Sequence, residues 1–156
     1  MDPVHLELLV KWLVDLQKIK PSSEIKNTID FYNLENNLRI LRQRKNSNIQ
    51  SLDKEYKSVK NKIIAWMKNG SKVLTHGDFN PANILVSDEN LMVIDFENTH
   101  LGNPLVDIAN LSSYLTILLN NKAYTERLEK ETILLYEKYG KKLTAEEKDM
   151  FLVYKR

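Results

Sequence analysis

No cysteine occurs among the 156 residues, and only four glycines and four prolines do. The missing thiols exclude disulfide bonds and zinc sites built from cysteine. No apolar run approaches the roughly 20 residues needed to span a bilayer, so no membrane partner is expected. The first residues, MDPVHLELL, lack the basic start and the small-residue cleavage site of a signal peptide. These absences together predict a cytoplasmic protein.

The charge balance is also modest, with a formal net charge of +2 at pH 7. Basic residues are spread along the chain, which argues against a nucleic-acid partner. Hydrophobic residues make up 42% and charged residues 28% of the sequence, which is ordinary for a globular protein. A chain of this length is sufficient for one domain with one sizeable core.

Residues 1–70 carry apolar side chains at the spacing of three amphipathic helices. Asp2 and Pro3 predict the start of the first helix, because proline at the first helical position loses no hydrogen bond. Pro21 predicts its end, and a second helix then continues to a polar break at 46–48. The second and third helices are long and rich in lysine, so we expect a helical pair that projects from the body.

Residues 71–103 differ in character, with short apolar runs between polar turns. The runs Ile84–Val86 and Leu91–Ile94 are separated by Ser-Asp-Glu-Asn, a combination typical of an antiparallel β-hairpin. A turn-rich loop precedes this predicted hairpin, so the central part of the chain is expected to be loop and strand rather than helix.

Residues 104–156 return to helical spacing. Asn103 and Pro104 predict the cap and first position of one helix, and a second helix extends to Gly140. The sequence Thr-Ala-Glu-Glu at 144–147 forms a capping box that opens a last helix. The whole pattern predicts a mostly helical α+β fold in a single domain.

The segment Thr75–Glu97 reads THGDFNPANILVSDENLMVIDFE and holds most of the functional information. Phosphoryl transfer requires a group that orients or accepts the proton of the attacking hydroxyl, and Mg²⁺ to neutralise phosphate charge. Mg²⁺ prefers hard oxygen ligands. Asp78, in the turn-rich loop, is suited to accept the proton. Asn83 and Asp95 lie at the two ends of the predicted hairpin, which would bring their oxygen atoms close together.

Three motifs in this region resemble the aminoglycoside phosphotransferase and choline kinase family of small-molecule kinases. The loop HGDFNPANILV matches the family pattern H-x-D with an asparagine five residues after the aspartate. VIDFE matches the second motif, I-D-[FW]-E, and DIA at 107–109 matches the third, D-[LI]-A. The resemblance implies a fold related to the protein kinases. It also implies ATP and Mg²⁺ as cofactors and the hydroxyl of a small molecule as the acceptor.

The resemblance implies a role for each matching residue. Asp78 corresponds to the catalytic base. Asn83 and Asp95 correspond to the ligands of the Mg²⁺ that accompanies ATP. His76 corresponds to a histidine that supports the shape of the loop. Asp107 corresponds to a buried aspartate that anchors the loop through backbone hydrogen bonds.

Structural interpretations of the same residues stay open. Asp78 and Asn83 could be turn residues, because Gly-Asp and Asn-Pro are common in turns. Asp95 could be a carboxylate that faces solvent at a strand end. Glu97 could reach an outer water of the metal or form a salt bridge. His100 is interpreted as an ordinary, partly exposed histidine.

One half of the family's site has no counterpart in these residues. The resemblance implies an N-terminal lobe with a flexible loop over the phosphates and a strand lysine, but the residues before His76 have helical spacing and no Gly-rich loop. The matching region is therefore the C-terminal lobe alone, with helices over 1–70, the catalytic loop and hairpin over 71–103, and helices over 104–156. A last helix that stops at Arg156 without a C-terminal signal favours a fragment of a longer protein.

This incompleteness leaves two hypotheses for the function. The first is the catalytic lobe of a small-molecule kinase, inactive without its nucleotide lobe and able to self-associate through the exposed lobe interface. The second is a non-catalytic binding or scaffold protein derived from such a lobe. A cationic acceptor would require acidic or aromatic walls, for which the last helices offer candidates. These are Glu146, Glu147, Asp149 and Tyr154.

Overall fold

A computed structural model describes residues 3–20, 39–40, 42–43, 49–69, 72–88 and 90–154. In chain order, the described residues include five α-helices. They are α1 (Pro3–Lys18), α2 (Ile49–Asn69), α3 (Val106–Leu119), α4 (Lys122–Tyr139) and α5 (Ala145–Tyr154). Four short strands are β1 (Val73–Thr75), β2 (Ile84–Ser87), β3 (Asn90–Val93) and β4 (His100–Gly102), and a 3₁₀ turn covers Pro81–Asn83. The chain is thus mostly helical with small sheets, as predicted.

The second predicted helix falls almost entirely outside the described residues, as does the polar break at 46–48. The expected helical pair at the N-terminus therefore stays a prediction. Arg42, in the short described part before α2, forms an ion pair with Asp53 of α2, with 2.6 Å between Nη2 and Oδ1. The hydrogen bonds from Arg42 lower the pKa of the Asp53 carboxyl below its usual value.

The main core lies where α1 packs against α4 and against the loop that follows β1. One face of α1 is buried because its apolar residues recur at helical spacing. The fully buried side chains at the centre include Leu9 and Leu13 of α1, Phe79 of the loop and Leu105 before α3. The loop that carries the sequence motifs is therefore fastened to the core by one of its own side chains.

Two separate two-stranded sheets flank this loop. The predicted hairpin is present as β2 and β3, in a register that pairs Ile84 with Val93 and Leu85 with Met92. The second sheet was not predicted, since it pairs β1 with β4 antiparallel, with Thr75 opposite His100. The two sheets place the ends of β1, β2 and β3 around one loop.

The predicted start of the helix after β4 is wrong. α3 begins at Val106 rather than at Pro104. The Asn103 side chain accepts a hydrogen bond from the Leu105 amide at 2.8 Å, and its carbonyl accepts one from the Val106 amide at 3.0 Å. These bonds form a local turn, which is the usual alternative to a helix cap for asparagine.

The capping box at the start of α5 has the geometry that the sequence predicts. The Glu147 amide donates to Thr144 Oγ1 at 3.1 Å, and the Thr144 amide donates to Glu147 Oε2 at 3.0 Å. α5 packs against α2 and α3. None of the helices in the described part of the chain is long and apolar enough to cross a membrane.

Candidate active site

Asp107, in the first turn of α3, holds the loop that leaves β1. Its carboxylate is fully buried and accepts the His76 amide on Oδ2 at 2.9 Å and the Gly77 amide on Oδ1 at 3.0 Å. Burial raises the pKa of this carboxyl, while the two backbone hydrogen bonds oppose the rise. The contacts are those expected of a residue that anchors the loop.

His76 connects the loop to the end of the hairpin. Its buried ring accepts the Asp78 amide on Nδ1 at 3.3 Å, and Nε2 lies 2.9 Å from the Ile94 carbonyl. A carbonyl oxygen can only accept, so the hydrogen must lie on Nε2 and the ring is the neutral tautomer. The imidazole thus joins Asp78 to the residue that precedes Asp95.

The Asp78 carboxylate is oriented by two side-chain amides. Asn80 Nδ2 donates to Oδ1 at 3.0 Å, and Asn83 Nδ2 donates to Oδ2 at 3.1 Å. Asn80 is itself fixed, because its Oδ1 accepts the Ala82 amide at 2.9 Å at the start of the 3₁₀ turn. Asp78 is half-buried, so the carboxylate combines a defined orientation with access from solvent.

Asn83 and Asp95 are brought together by the hairpin. The Asn83 carbonyl accepts the Ile94 amide at 3.1 Å, which sets the residue before Asp95 against Asn83. Since Asn83 Nδ2 is directed to Asp78, its Oδ1 is the atom left to bind a cation. Asp95 has a φ of +68°, and its side chain is exposed, as is that of Glu97.

A metal ion would have to be held here by few protein atoms. Among the described residues, no group of three or more histidine, cysteine, aspartate or glutamate side chains could hold a metal ion. An amide oxygen from Asn83 and a carboxylate from Asp95 are nevertheless hard donors. Mg²⁺ commonly takes one or two such protein groups together with phosphate oxygens and water. The donor chemistry fits Mg²⁺ bound with a nucleotide better than a cage made by the protein alone.

An aromatic cluster beneath the loop was missed by the sequence reasoning. Phe79 is fully buried and stacks on Trp12 of α1, with 5.6 Å between ring centroids and 10° between planes. Phe96 lies 4.8 Å from the His76 ring, centroid to centroid. Asp78 and Asp95 are thus each followed by a phenylalanine that packs near His76. The repeated Asp-Phe pair was the available signal.

Gly77 allows the loop to pass against the segment that follows the hairpin. It has a φ of +85°, a conformation that L side chains rarely adopt. A Cβ atom there would lie 2.1 Å from the Asn98 carbonyl oxygen and 2.9 Å from His100 Nδ1. The close approach at Gly77 is possible only because this residue has no side chain.

The acidic candidates for an acceptor site separate into two groups. Glu146 and Asp149 line a cavity of about 550 Å³ between α2 and α5, together with Lys62 and Trp66. Glu147 is instead buried in the capping box, where Lys141 donates to it at 2.6 Å. The side chain of Tyr154 lies outside the described residues.

Comparisons with known proteins agree with the motifs. A sequence model of the APH phosphotransferase enzyme family matches residues 2–138. No curated protein matches the chain.

Among solved structures, the fold is similar to that of a choline/ethanolamine kinase family protein from Mesorhizobium loti. The TM-score is 0.69 at 17% sequence identity, and the match covers 98% of this chain and 49% of the other. The chain therefore spans about half the length of that protein.

Proposed function

Because the chain belongs to the APH phosphotransferase enzyme family, we propose that it is the C-terminal catalytic lobe of a kinase. In this proposal the lobe transfers the terminal phosphoryl group of ATP to a hydroxyl of a small molecule, with Mg²⁺. The observation that carries the proposal is the half-buried Asp78 carboxylate, which accepts hydrogen bonds from Asn80 and Asn83. The hairpin that follows the loop carries the hard oxygen donors, Asn83 Oδ1 and the Asp95 carboxylate.

Asp78 is the group that receives the proton of the acceptor hydroxyl. Two amide donors orient its oxygens, and each carboxylate oxygen retains a lone pair for a further hydrogen bond. Proton transfer by a carboxylate needs this kind of fixed position within hydrogen-bond reach of the hydroxyl. His76 and Asp107 do not touch the substrate in this scheme, and they keep the loop backbone in place.

The proposed ligands of Mg²⁺ are Asn83 Oδ1 and the Asp95 carboxylate, and in this proposal Glu97 reaches a water in the outer shell of the ion. The ion would neutralise phosphate charge during transfer. Asn83 serves both groups, because its Nδ2 holds Asp78 while its Oδ1 remains for the metal. Loss of this one side chain would therefore disturb the base and the metal site together.

The remaining contacts of ATP belong to a second lobe in this proposal. The structural neighbour is about twice as long as the region it shares with this chain. The motifs here provide a base and metal ligands and no lysine-bearing strand ahead of them. We therefore expect this chain by itself to bind Mg-ATP weakly and to turn over almost nothing.

We propose a cationic alcohol as the acceptor class, bound in the cavity between α2 and α5. This cavity is lined by the Trp66 indole and the carboxylates of Glu146 and Asp149, with Lys62 as the one cation among the described residues of its lining, and aromatic faces and carboxylates both attract cations. In a protein that carries both lobes, Asp149→Asn should raise the KM of a cationic alcohol several-fold and leave that of a neutral sugar unchanged. Equal effects on both acceptors would contradict a cationic acceptor.

The proposal is tested by ADP release from a protein that carries both lobes, assayed over a panel of amino alcohols, aminoglycosides and sugars. Asp78→Asn should lower kcat by about 10²–10⁴-fold, the usual contribution of a positioned acid or base. Asp88→Asn is the matched control, because Asp88 lies exposed in the hairpin turn. Full activity of the Asp78 variant would remove the assigned base. Failure of the two-lobe protein to bind Mg-ATP by calorimetry would favour a non-catalytic binding protein instead.

A further inference from the structure

We propose that His100 is a positioning residue for Asp78, acting through the Asn98 carbonyl and the Gly77 backbone. His100 belongs to β4, outside the three motifs that specify the site. The proposal rests on the proposed role of Asp78 as the base.

Gly77 lies against the segment that follows the hairpin. The Asn98 carbonyl oxygen occupies the space that a Cβ of Gly77 would need, at 2.1 Å from its ideal position. Gly77 lies between His76 and Asp78, so its dihedral angles decide where Asp78 points. The Asn98 carbonyl therefore forms one wall against the part of the loop that aims the base.

The His100 ring orients the Asn98 carbonyl. Nδ1 lies 2.9 Å from the Asn98 carbonyl oxygen, and since that oxygen can only accept, Nδ1 must carry the hydrogen. His100 Nδ1 is also 2.9 Å from the ideal Cβ position of Gly77. The ring thus both orients the carbonyl and contacts the glycine.

The other ring nitrogen has no comparable function. His100 Nε2 is buried and has no hydrogen-bond partner among the described residues. A buried polar atom left without a partner is costly, so the surroundings of Nε2 do not account for a histidine at this position. The useful polar atom of His100 is Nδ1, and this difference between the two nitrogens makes the proposal testable.

His100 is attached to β1, the strand that leads into the loop. Thr75 is paired with His100 across the β1–β4 sheet, and Thr75 Oγ1 donates to the His100 carbonyl at 2.9 Å. Asp107 holds the loop through the amides of His76 and Gly77. The loop backbone is therefore held on two sides. Asp107 accepts the amides of His76 and Gly77, and the Asn98 carbonyl lies against Gly77.

The contact can be tested on this chain by amide hydrogen exchange at Gly77 and Asp78, measured by NMR. His100→Leu removes the donor and should speed exchange at both amides by up to about tenfold, the effect of losing one hydrogen bond of ordinary net strength. His100→Asn places an amide nitrogen where Nδ1 was and should restore slow exchange. His100→Gln places its nitrogen near the position of Nε2 and should not restore it.

The same variants in a two-lobe protein test the consequence for catalysis. His100→Leu and His100→Gln should lower kcat by about tenfold or more with the KM for ATP little changed, because a misplaced base slows the chemical step. His100→Asn should recover most of kcat. Rescue by glutamine equal to that by asparagine, or unchanged exchange in all three variants, would overturn the proposal.

If His100→Leu does not fold, the comparison of asparagine with glutamine still decides the matter. An inactive two-lobe wild type would refute the proposed function, whereas the exchange rates measured on this chain would still support or refute the contact through Nδ1.

Discussion

At the residue scale, the shape of the loop that carries Asp78 is set by the side chains of Asp107 and His76. The Asp107 carboxylate accepts two consecutive amides, which forces the chain at His76 and Gly77 to turn toward α3. The His76 ring then uses both nitrogens to connect Asp78 with Ile94. An aspartate on a loop would ordinarily be mobile, but the loop around Asp78 has hydrogen-bond partners in Asp107 and His76.

Gly77→Ala should destabilise the protein by about 2 kcal/mol or more, since a residue held in an unfavourable backbone region costs about 1–3 kcal/mol and the added Cβ would meet the Asn98 carbonyl at 2.1 Å. The measurement is the free energy of unfolding in urea. Gly102→Ala is the matched control for a glycine close to the same residues, since the three atoms nearest its Cβ would be side-chain atoms of His100 and Thr75 at 3.1–3.4 Å rather than a backbone oxygen at 2.1 Å. Equal losses in the two variants would contradict the special role of Gly77.

Asp107→Asn should lower the free energy of unfolding by about 1–3 kcal/mol, because asparagine keeps one acceptor oxygen and leaves one buried amide of the loop without a partner. Exchange of the His76 or Gly77 amide should become faster at the same time. Asp15→Asn serves as a control, because Asp15 is exposed and forms a surface ion pair with Lys18, and such a pair contributes little. A variant of Asp107 as stable as the wild type would mean that the loop does not depend on this anchor.

At the element scale, local signals were sufficient for the hairpin and insufficient for the sheet beside it. β2 and β3 are adjacent in the chain and joined by turn residues, so their pairing can be read from one short segment. β4 is three residues long, and its partner Thr75 lies 25 positions before His100. Nothing in the letters His-Leu-Gly marks a strand, and the pairing is decided by tertiary contacts.

The candidate site residues also divide into those that local sequence signals predict and those that depend on tertiary contacts. Asp78, Asn83 and Asp95 could be selected from residue type and spacing. Asn80 could not, because its importance arises from two hydrogen bonds that it donates to Asp78 and one that it accepts from the Ala82 amide. His100 was taken for an ordinary histidine, since its contact with Gly77 exists only after β1 and β4 have paired.

The junction of α4 and α5 should make stability depend on acid. The Lys148 ammonium beside Glu137 lowers the pKa of that carboxyl below its usual value of 4.5, with help from the Leu143 amide. A carboxyl with a lowered pKa in the folded state stabilises the protein above its unfolded pKa, and that contribution is lost as pH falls through the folded pKa. Thermal unfolding from pH 7 to pH 3 should therefore show a loss of stability at the acid end.

Glu137→Gln should remove that part of the acid dependence, so that the difference in stability from the wild type is largest near neutral pH and shrinks as pH falls below the usual glutamate pKa of 4.5. Glu131→Gln is the control on the same helix, where the partner Arg127 is 3.8 Å away and both side chains are exposed. If the melting temperatures of Glu137→Gln and the wild type differ by the same amount at every pH, the assignment of this acid dependence to Glu137 is contradicted.

At the scale of the whole molecule, one face of the hairpin is apolar and open to solvent. Leu85 and Met92 are opposite each other in the register and are 50% and 63% exposed. Ile94 and Phe96 continue the exposed apolar surface beyond β3. Apolar patches of this kind are typical of interaction surfaces, and this one adjoins the proposed metal ligands, where a nucleotide lobe would have to lie.

We expect this chain alone to self-associate through that hairpin face, because burying Leu85 and Met92 removes apolar area from water. Light scattering over a range of concentrations should show a mean mass above 18.3 kDa, and the double variant Leu85→Lys, Met92→Lys should return it to the monomer value. The control is Ile117→Lys, Leu118→Lys, which alters a separate exposed apolar surface on α3. If only the α3 variant dissociates the protein, the interface lies there and the hairpin face is not the surface that binds a second copy.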